Sequence, residues 1–182
     1  MREEENPWTT LSEKLIYENP WIRLDEHQVI NPSGGKGIYG KVSFKGWAVG
    51  IIPIDENGNT WLVGQYRYTL NEYSWEIPMG AVPKDEEQEA GALRELKEET
   101  GLIAEQLELL FKIHTSNSVT DETGMVYVAT GLKEGETEFD DTEDIKIRKL
   151  PFEAALKMVM DGEITDSLSI AGILKYARLK SI

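Results

Sequence analysis

Glu95, Glu98 and Glu99 crowd together in a stretch that has the composition of a helix. On a helix the i, i+3 and i+4 positions share one face, so these carboxylates are neighbours. Like charges at such spacings weaken the helix that carries them. A chain that folds with this cluster must neutralise it, and Arg94, directly before it, supplies one positive charge. Hard divalent cations with oxygen ligands complement the rest, and Mg²⁺ usually brings a phosphate-bearing substrate. The punctuation around the cluster is equally definite. Pro83 and the acidic run Asp85-Glu86-Glu87 suit a helix start, and Gly101 suits a C-cap. The pattern predicts a helix over about 85–100, with Leu93 and Leu96 beside Ala90 and Ala92 facing the core and the carboxylates on the other side.

The charge balance agrees. The chain of 182 residues has 33 acidic against 19 basic residues, a net charge of −14. That sign disfavours nucleic-acid duplexes and anionic membranes as partners. A phosphate substrate is also an anion, so a bound cation has to bridge acid to acid. With no cysteine, disulfides, thiolate nucleophiles and Cys-ligated zinc are excluded. The two histidines, His27 and His114, lie far apart and read as structural or surface residues. No apolar run has the length of a membrane span, and the first residues lack a signal-type apolar segment. The expectation is a cytoplasmic protein with one main core.

Short strand-like runs fill residues 11–54, broken by turns at Asn19-Pro20 and Asn31–Gly35. Leu15-Ile16-Tyr17 is one such run, and residues 1–10 read as a polar, frayed start. Asp55–Asn59 reads as a hairpin turn, because the glycine and distal glutamate of a calcium loop are missing. Further strands are expected at 61–68, 76–78, 107–113, 125–130 and 145–150. Helices are expected from Pro151 to near Gly162 and from Asp166 to Leu179, the latter with Leu168, Ala171, Ile173, Leu174 and Tyr176 as its apolar side. Strands interleaved with helices indicate an α/β or α+β class.

Written out, the cluster runs Gly80, five residues, Glu86, seven residues, Arg94-Glu95-Leu96, one residue, Glu98-Glu99, one residue, Gly101-Leu102. This resembles the Nudix box at every fixed position. Such a set of identities arises by chance with odds on the order of one in 10⁹. The box covers 23 residues (80–102), and the wider likeness runs from about residue 45 to 180. The resemblance implies an α/β/α sandwich around a mixed sheet, with the box as a loop–helix–loop. It also implies two parts: an N-terminal β-lobe over 1–45 that serves dimerisation, and a hydrolase domain over 46–182.

The same resemblance assigns roles. Glu95, Glu98 and Glu99, with the backbone carbonyl of Met79, are implied Mg²⁺ ligands, Mn²⁺ being an alternative. Arg94 is implied to orient the glutamates, and Glu86 to support the box. Gly64–Tyr68 and Trp75–Gly80 look like the branch acting on ADP-ribose and nucleoside diphosphate sugars, which implies that Arg67 approaches the diphosphate and Glu76 the sugar or nucleotide. A glutamate on a later loop activates water in that branch, and either Glu122, beside Asp121, or Glu143 fits. ADP-ribose-selective relatives carry Ser-Pro-Gly-Gly where this chain has Ser116-Asn117-Ser118-Val119, which shifts the expectation toward nucleoside diphosphate sugars at large. Similar enzymes are homodimers in which an N-terminal aromatic stacks on the base; Trp21, Tyr17 and Trp8 are the candidates. A non-catalytic nucleotide sensor is the alternative, but such proteins usually lose box glutamates that this chain retains.

Overall fold

The computed structural model describes residues 5–137 and 144–182. The chain divides into two compact units: one up to Gly46 together with Ser116–Glu122, the other Trp47–Thr115 with Thr123–Ile182. Among the described residues no helix is long and apolar enough to cross a membrane.

In the first unit β1 (Thr9–Glu18), β2 (Ile22–Ile30) and β3 (Lys36–Phe44) form an antiparallel meander. Asparagine sets both turns. Asn19 Oδ1 accepts the Trp21 and Ile22 N–H groups at 2.9 and 2.8 Å, and Asn31 Oδ1 accepts those of Ser33 and Gly35 at 3.0 and 2.9 Å. β1 is longer than the run Leu15–Tyr17 and takes in Thr9 and Thr10, because its ladder with β2, rather than its own hydrophobicity, defines it. Every residue of β1 is exposed, and its register slips between Thr10 and Ser12 and again between Leu15 and Tyr17. Ser116–Glu122 runs beside β3: the Val42 N–H donates to the Val119 carbonyl at 2.9 Å, and the Tyr39 hydroxyl to that of Ser118 at 2.7 Å.

The second unit holds β4 (Gly46–Pro53), β5 (Asn59–Arg67), β6 (Glu72–Glu76), β7 (Met79–Pro83), α1 (Gln88–Thr100), β8 (Leu102–His114), β9 (Thr123–Glu134), β10 (Lys146–Pro151), α2 (Phe152–Met160) and α3 (Ser167–Lys180). One sheet has the order β7-β4-β9-β8, with β4 and β9 parallel and β8 antiparallel to β9. The other has the order β10-β5-β6. Alternation along β4 explains the layering. Val49 and Ile51 join Ala92 and Leu96 of α1 in one core, while Ile52 joins Phe152 of α2 and Leu168 and Ile173 of α3 in another. Helices therefore cover both faces of a mixed sheet, the expected α/β/α sandwich.

Several local expectations are corrected. The helix starts at Gln88, not near residue 85, because residues after Pro83 turn first: the Glu86 N–H donates to the Pro83 carbonyl at 3.0 Å. The buried face of α1 is Gly91, Ala92, Leu96, Glu99 and Thr100, so Leu93 and Ala90 point outward and one carboxylate points inward. Close backbone packing decides this rotation: a Cβ on Gly91 would stand 2.6 Å from Val82 Cγ1. β8 and β9 outrun the expected 107–113 and 125–130, since their mutual ladder carries them beyond the apolar core. In α3, Leu168, Ile173 and Tyr176 are buried as expected, but Gly172 and Ala177 are buried with them and Leu174 faces solvent. Asp55 does form a turn, its Oδ1 accepting the Asn57 and Asn59 N–H groups at 2.9 and 2.8 Å, but the turn does not close the expected hairpin, because the strands it joins, β4 and β5, lie in different sheets.

Gly91 offers a test with opposed expectations. Helix propensity alone makes Gly91→Ala stabilising by about 1 kcal/mol. Val82 is fully buried, so overpacking of about 1–3 kcal/mol is expected to outweigh that gain. Urea denaturation is expected to show a net loss of stability; a gain would mean that the α1–β7 contact is looser than described.

Candidate active site

The segment Glu76–Gly80 links β6 to β7 and is tied at every step. Glu76 is buried at 3% exposure and receives two bonds from the Arg67 guanidinium, the Nε–Oε1 bond being 2.9 Å. The Ile77 N–H donates to Ser169 Oγ at 3.0 Å, and the Pro78 carbonyl accepts the Ile51 N–H at 2.8 Å. The Met79 N–H donates to Glu99 Oε2 at 2.8 Å. Gly80 follows, where a Cβ would meet the Glu95 carboxylate and displace it from its position. Glycine at the start of the box thus lets a helix carboxylate lie directly on the loop backbone.

Arg94 gathers the other carboxylates. Its Nη1 donates to Glu95 Oε1 at 2.9 Å and to Glu98 Oε2 at 2.8 Å, and its Nη2 to Glu86 Oε2 at 3.3 Å. Burial works against the Arg94 charge, but the bond to Glu86 and the charges of Glu95 and Glu98 outweigh it and hold the proton more tightly than usual. The bond to Glu76 likewise raises the Arg67 pKa against burial, with the charges of Glu76, Glu99 and Asp166 adding to it. The site therefore consists of two guanidiniums set among an excess of carboxylates. Glu99, 1% exposed, lies on the buried stripe of α1 beside Leu96.

The donor set suits a hard divalent cation: Glu95, Glu98, Glu99 and the backbone carbonyl of Met79 offer oxygen only. As the side chains stand, no three His, Asp or Glu residues among those described are grouped to hold a metal ion. Arg94 engages Glu95 and Glu98, while the Met79 N–H engages Glu99.

The second unit thus brings Arg67, Glu76, Met79, Glu86, Arg94, Glu95, Glu98 and Glu99 into one continuous set of contacts and charges. Arg67 and Glu76, expected at the substrate, are paired with each other. Tyr17, Trp21 and Glu122 belong to the first unit, where Trp21 is 70% exposed and Tyr17 53%. The Glu122 N–H donates to Thr120 Oγ1 at 2.8 Å. Asp121, its neighbour, pairs with Lys41 at 3.0 Å and accepts the Phe44 N–H at 3.0 Å, as a strand-anchoring residue does. Glu143 lies outside the described residues.

Ser169 and Asp166 are the participants that sequence reasoning missed. The sequence places Asp166 only at the start of the last helix; as its N-cap, its Oδ2 accepts the Ser169 N–H at 2.8 Å. The contact from Ser169 to Ile77 spans 92 residues and leaves no local signature.

Comparison with known proteins matches two segments of the chain. The NUDIX domain family profile matches residues 45–167, and that of the nucleoside diphosphate sugar hydrolase N-terminal domain matches residues 8–42. The ADP-ribose pyrophosphatase of Mycobacterium tuberculosis is 36% identical over 173 residues, covering 93% of this chain and 83% of that protein. The ADP-ribose pyrophosphatase of Bacillus subtilis is 33% identical over 173 residues, covering 94% and 92%. A crystal structure described as an ADP compounds hydrolase superposes with a TM-score of 0.87 at 19% identity, covering 99% of this chain and 97% of that one, a likeness of fold.

The Arg67–Glu76 pair can be tested by a double-mutant cycle. Arg67→Met leaves a buried carboxylate uncompensated and is expected to cost about 3 kcal/mol in urea unfolding. Arg67→Met/Glu76→Gln removes that charge and is expected to recover most of the loss. Equal losses in the single and double variants would show that Glu76 does not depend on Arg67.

Proposed function

Because the chain belongs to the Nudix family and is a pyrophosphohydrolase of it, we propose that its substrates are nucleoside diphosphate sugars, ADP-ribose among them. Water attacks one phosphorus, a new P–O bond forms, and the bridging oxygen departs with the electron pair. The products are a nucleoside monophosphate and a sugar phosphate. The observation that carries this reading is the set of box carboxylates gathered by Arg94 beside the tethered Met79 segment. The match of residues 8–42 to the nucleoside diphosphate sugar hydrolase N-terminal domain supports the substrate class. The names of the two bacterial relatives favour a narrower preference for ADP-ribose, whereas Asn117 in place of a proline favours the wider range.

In this proposal Glu95, Glu98, Glu99 and the Met79 carbonyl hold Mg²⁺, for which Mn²⁺ substitutes. A cation held there would supply charge neutralisation at the diphosphate and a more acidic water. Arg94 keeps Glu95 and Glu98 in position, and Glu86 shares its charge. Arg67, fixed by Glu76, presents a planar donor fork to the diphosphate. Glu122 or Glu143 takes the proton from the attacking water. Trp21 or Tyr17 stacks on the base, and the exposed apolar residues of β1 support a homodimer. The net charge of −14 supports an enzyme with no nucleic-acid partner, and its location in this proposal is the cytoplasm.

A panel of ADP-ribose and ADP-, GDP-, UDP- and CDP-sugars, assayed with Mg²⁺ and with EDTA, tests the reading. Metal-dependent release of monophosphate is expected, falling at least about 10²-fold in Glu95→Gln. A folded protein that turns over none of these compounds would overturn the substrate class. Glu122→Gln and Glu143→Gln separate the two candidate bases: replacing the base is expected to lower kcat by about 10²–10⁴-fold with melting unchanged, and the other variant stays near wild type.

A further inference from the structure

Between Glu76 and Gly80 the backbone has two N–H groups, those of Ile77 and Met79, because Pro78 has none. Each is taken by a side chain from a different helix. Ser169 of α3 accepts from Ile77 at 3.0 Å, and Glu99 of α1 accepts from Met79 at 2.8 Å. These helices cover opposite faces of the sheet, so the segment is held from both sides.

Ser169 is fully buried, and its hydroxyl donates to Asp166 Oδ2 at 2.8 Å. The same carboxylate oxygen accepts the Ser169 backbone N–H, also at 2.8 Å, which is the ordinary capping bond. That capping bond needs only a backbone N–H and would survive alanine at position 169. The hydroxyl is therefore surplus to the helix. Donating to Asp166 aims its lone pairs at Ile77, two residues before the peptide whose carbonyl the proposed cation site uses.

We infer that Ser169 is a positioning residue: through the Ile77 N–H it fixes the Met79 peptide and so sets how strongly the site holds its cation. The inference rests on the metal-dependent reading above. It assigns to α3, which supplies no box carboxylate, a share of the site's cation affinity. Asp166 is the orienting partner, and the arrangement parallels the outer-shell bonds that hold metal ligands in place.

The test uses the full chain without substrate, titrated with Mn²⁺ and followed by electron paramagnetic resonance, alongside melting and steady-state kinetics. Ser169→Ala is expected to weaken Mn²⁺ binding on the order of tenfold, and to lower kcat/KM at subsaturating metal in proportion. Saturating metal is expected to restore kcat. Ser169→Cys keeps the side-chain shape with a somewhat larger atom that is a poor acceptor, so it covers the case in which alanine impairs folding, and it is expected to weaken binding in the same direction. Ile173→Val, a buried change elsewhere in the same core, is expected to lower melting while leaving Mn²⁺ affinity at the wild-type level. Wild-type Mn²⁺ affinity in a folded Ser169→Ala or Ser169→Cys, with only melting reduced, would overturn the inference and leave the hydrolase reading standing. A wild-type chain that binds no Mn²⁺ would overturn both.

Discussion

Arg94 donates to Glu86, Glu95 and Glu98 from a single guanidinium, and the order of the site depends on that one group. Without it, carboxylates from the loop before α1 and from the helix itself would stand side by side and repel. Arg67 has the same office on the other flank, where Glu76 is bound and Glu99 and Asp166 add their charge. Two fixed cations thus keep an acidic site assembled while leaving it negative overall. Partial burial makes these pairs less sensitive to salt than exposed ones. The site's excess negative charge and the stability of its own loop are two aspects of the same electrostatics.

The box was legible because its chemistry is local: a glycine, spaced glutamates and an arginine within one loop and helix. The strands were legible in kind but not in extent. β8 and β9 are lengthened by pairing with each other, which a window of sequence does not contain. The facing of α1 was misread because Leu93 outweighs Gly91 in any hydrophobic count, yet Gly91 is where the helix meets β7. Glu99 was assigned to the solvent side for the same reason. Arg67 and Glu76 are both singled out by the sequence, but their mutual bond runs across the β5–β6 register, in which Arg67 lies opposite Glu72 and Glu76 opposite Val63. The link from Ser169 to Ile77 arises from packing α3 against the sheet and was invisible in the chain order.

The segment Ile77–Met79 shows how the fold turns a backbone into a rigid component. Pro78 removes one donor, and two helices and a strand take up the polar groups around it. A loop with every donor placed has little freedom left to lose when a ligand arrives, so less binding energy is consumed in ordering it. The two apolar cores contribute indirectly, by fixing α1 and α3 on opposite faces at the separation this bridging requires.

The register slips in β1 have a consequence for the behaviour of the chain at high concentration. β1 is the outer strand of its sheet, ten residues long, exposed throughout and bearing Leu11, Leu15, Ile16 and Tyr17. A straight edge of that length and composition is a template for further strands, and unlimited stacking follows from it. Two irregularities within one strand twist the outer row of N–H and C=O groups out of line and deny an incoming strand a continuous ladder. The apolar side chains remain available to a partner that packs on their face, while growth along the edge into fibres is suppressed.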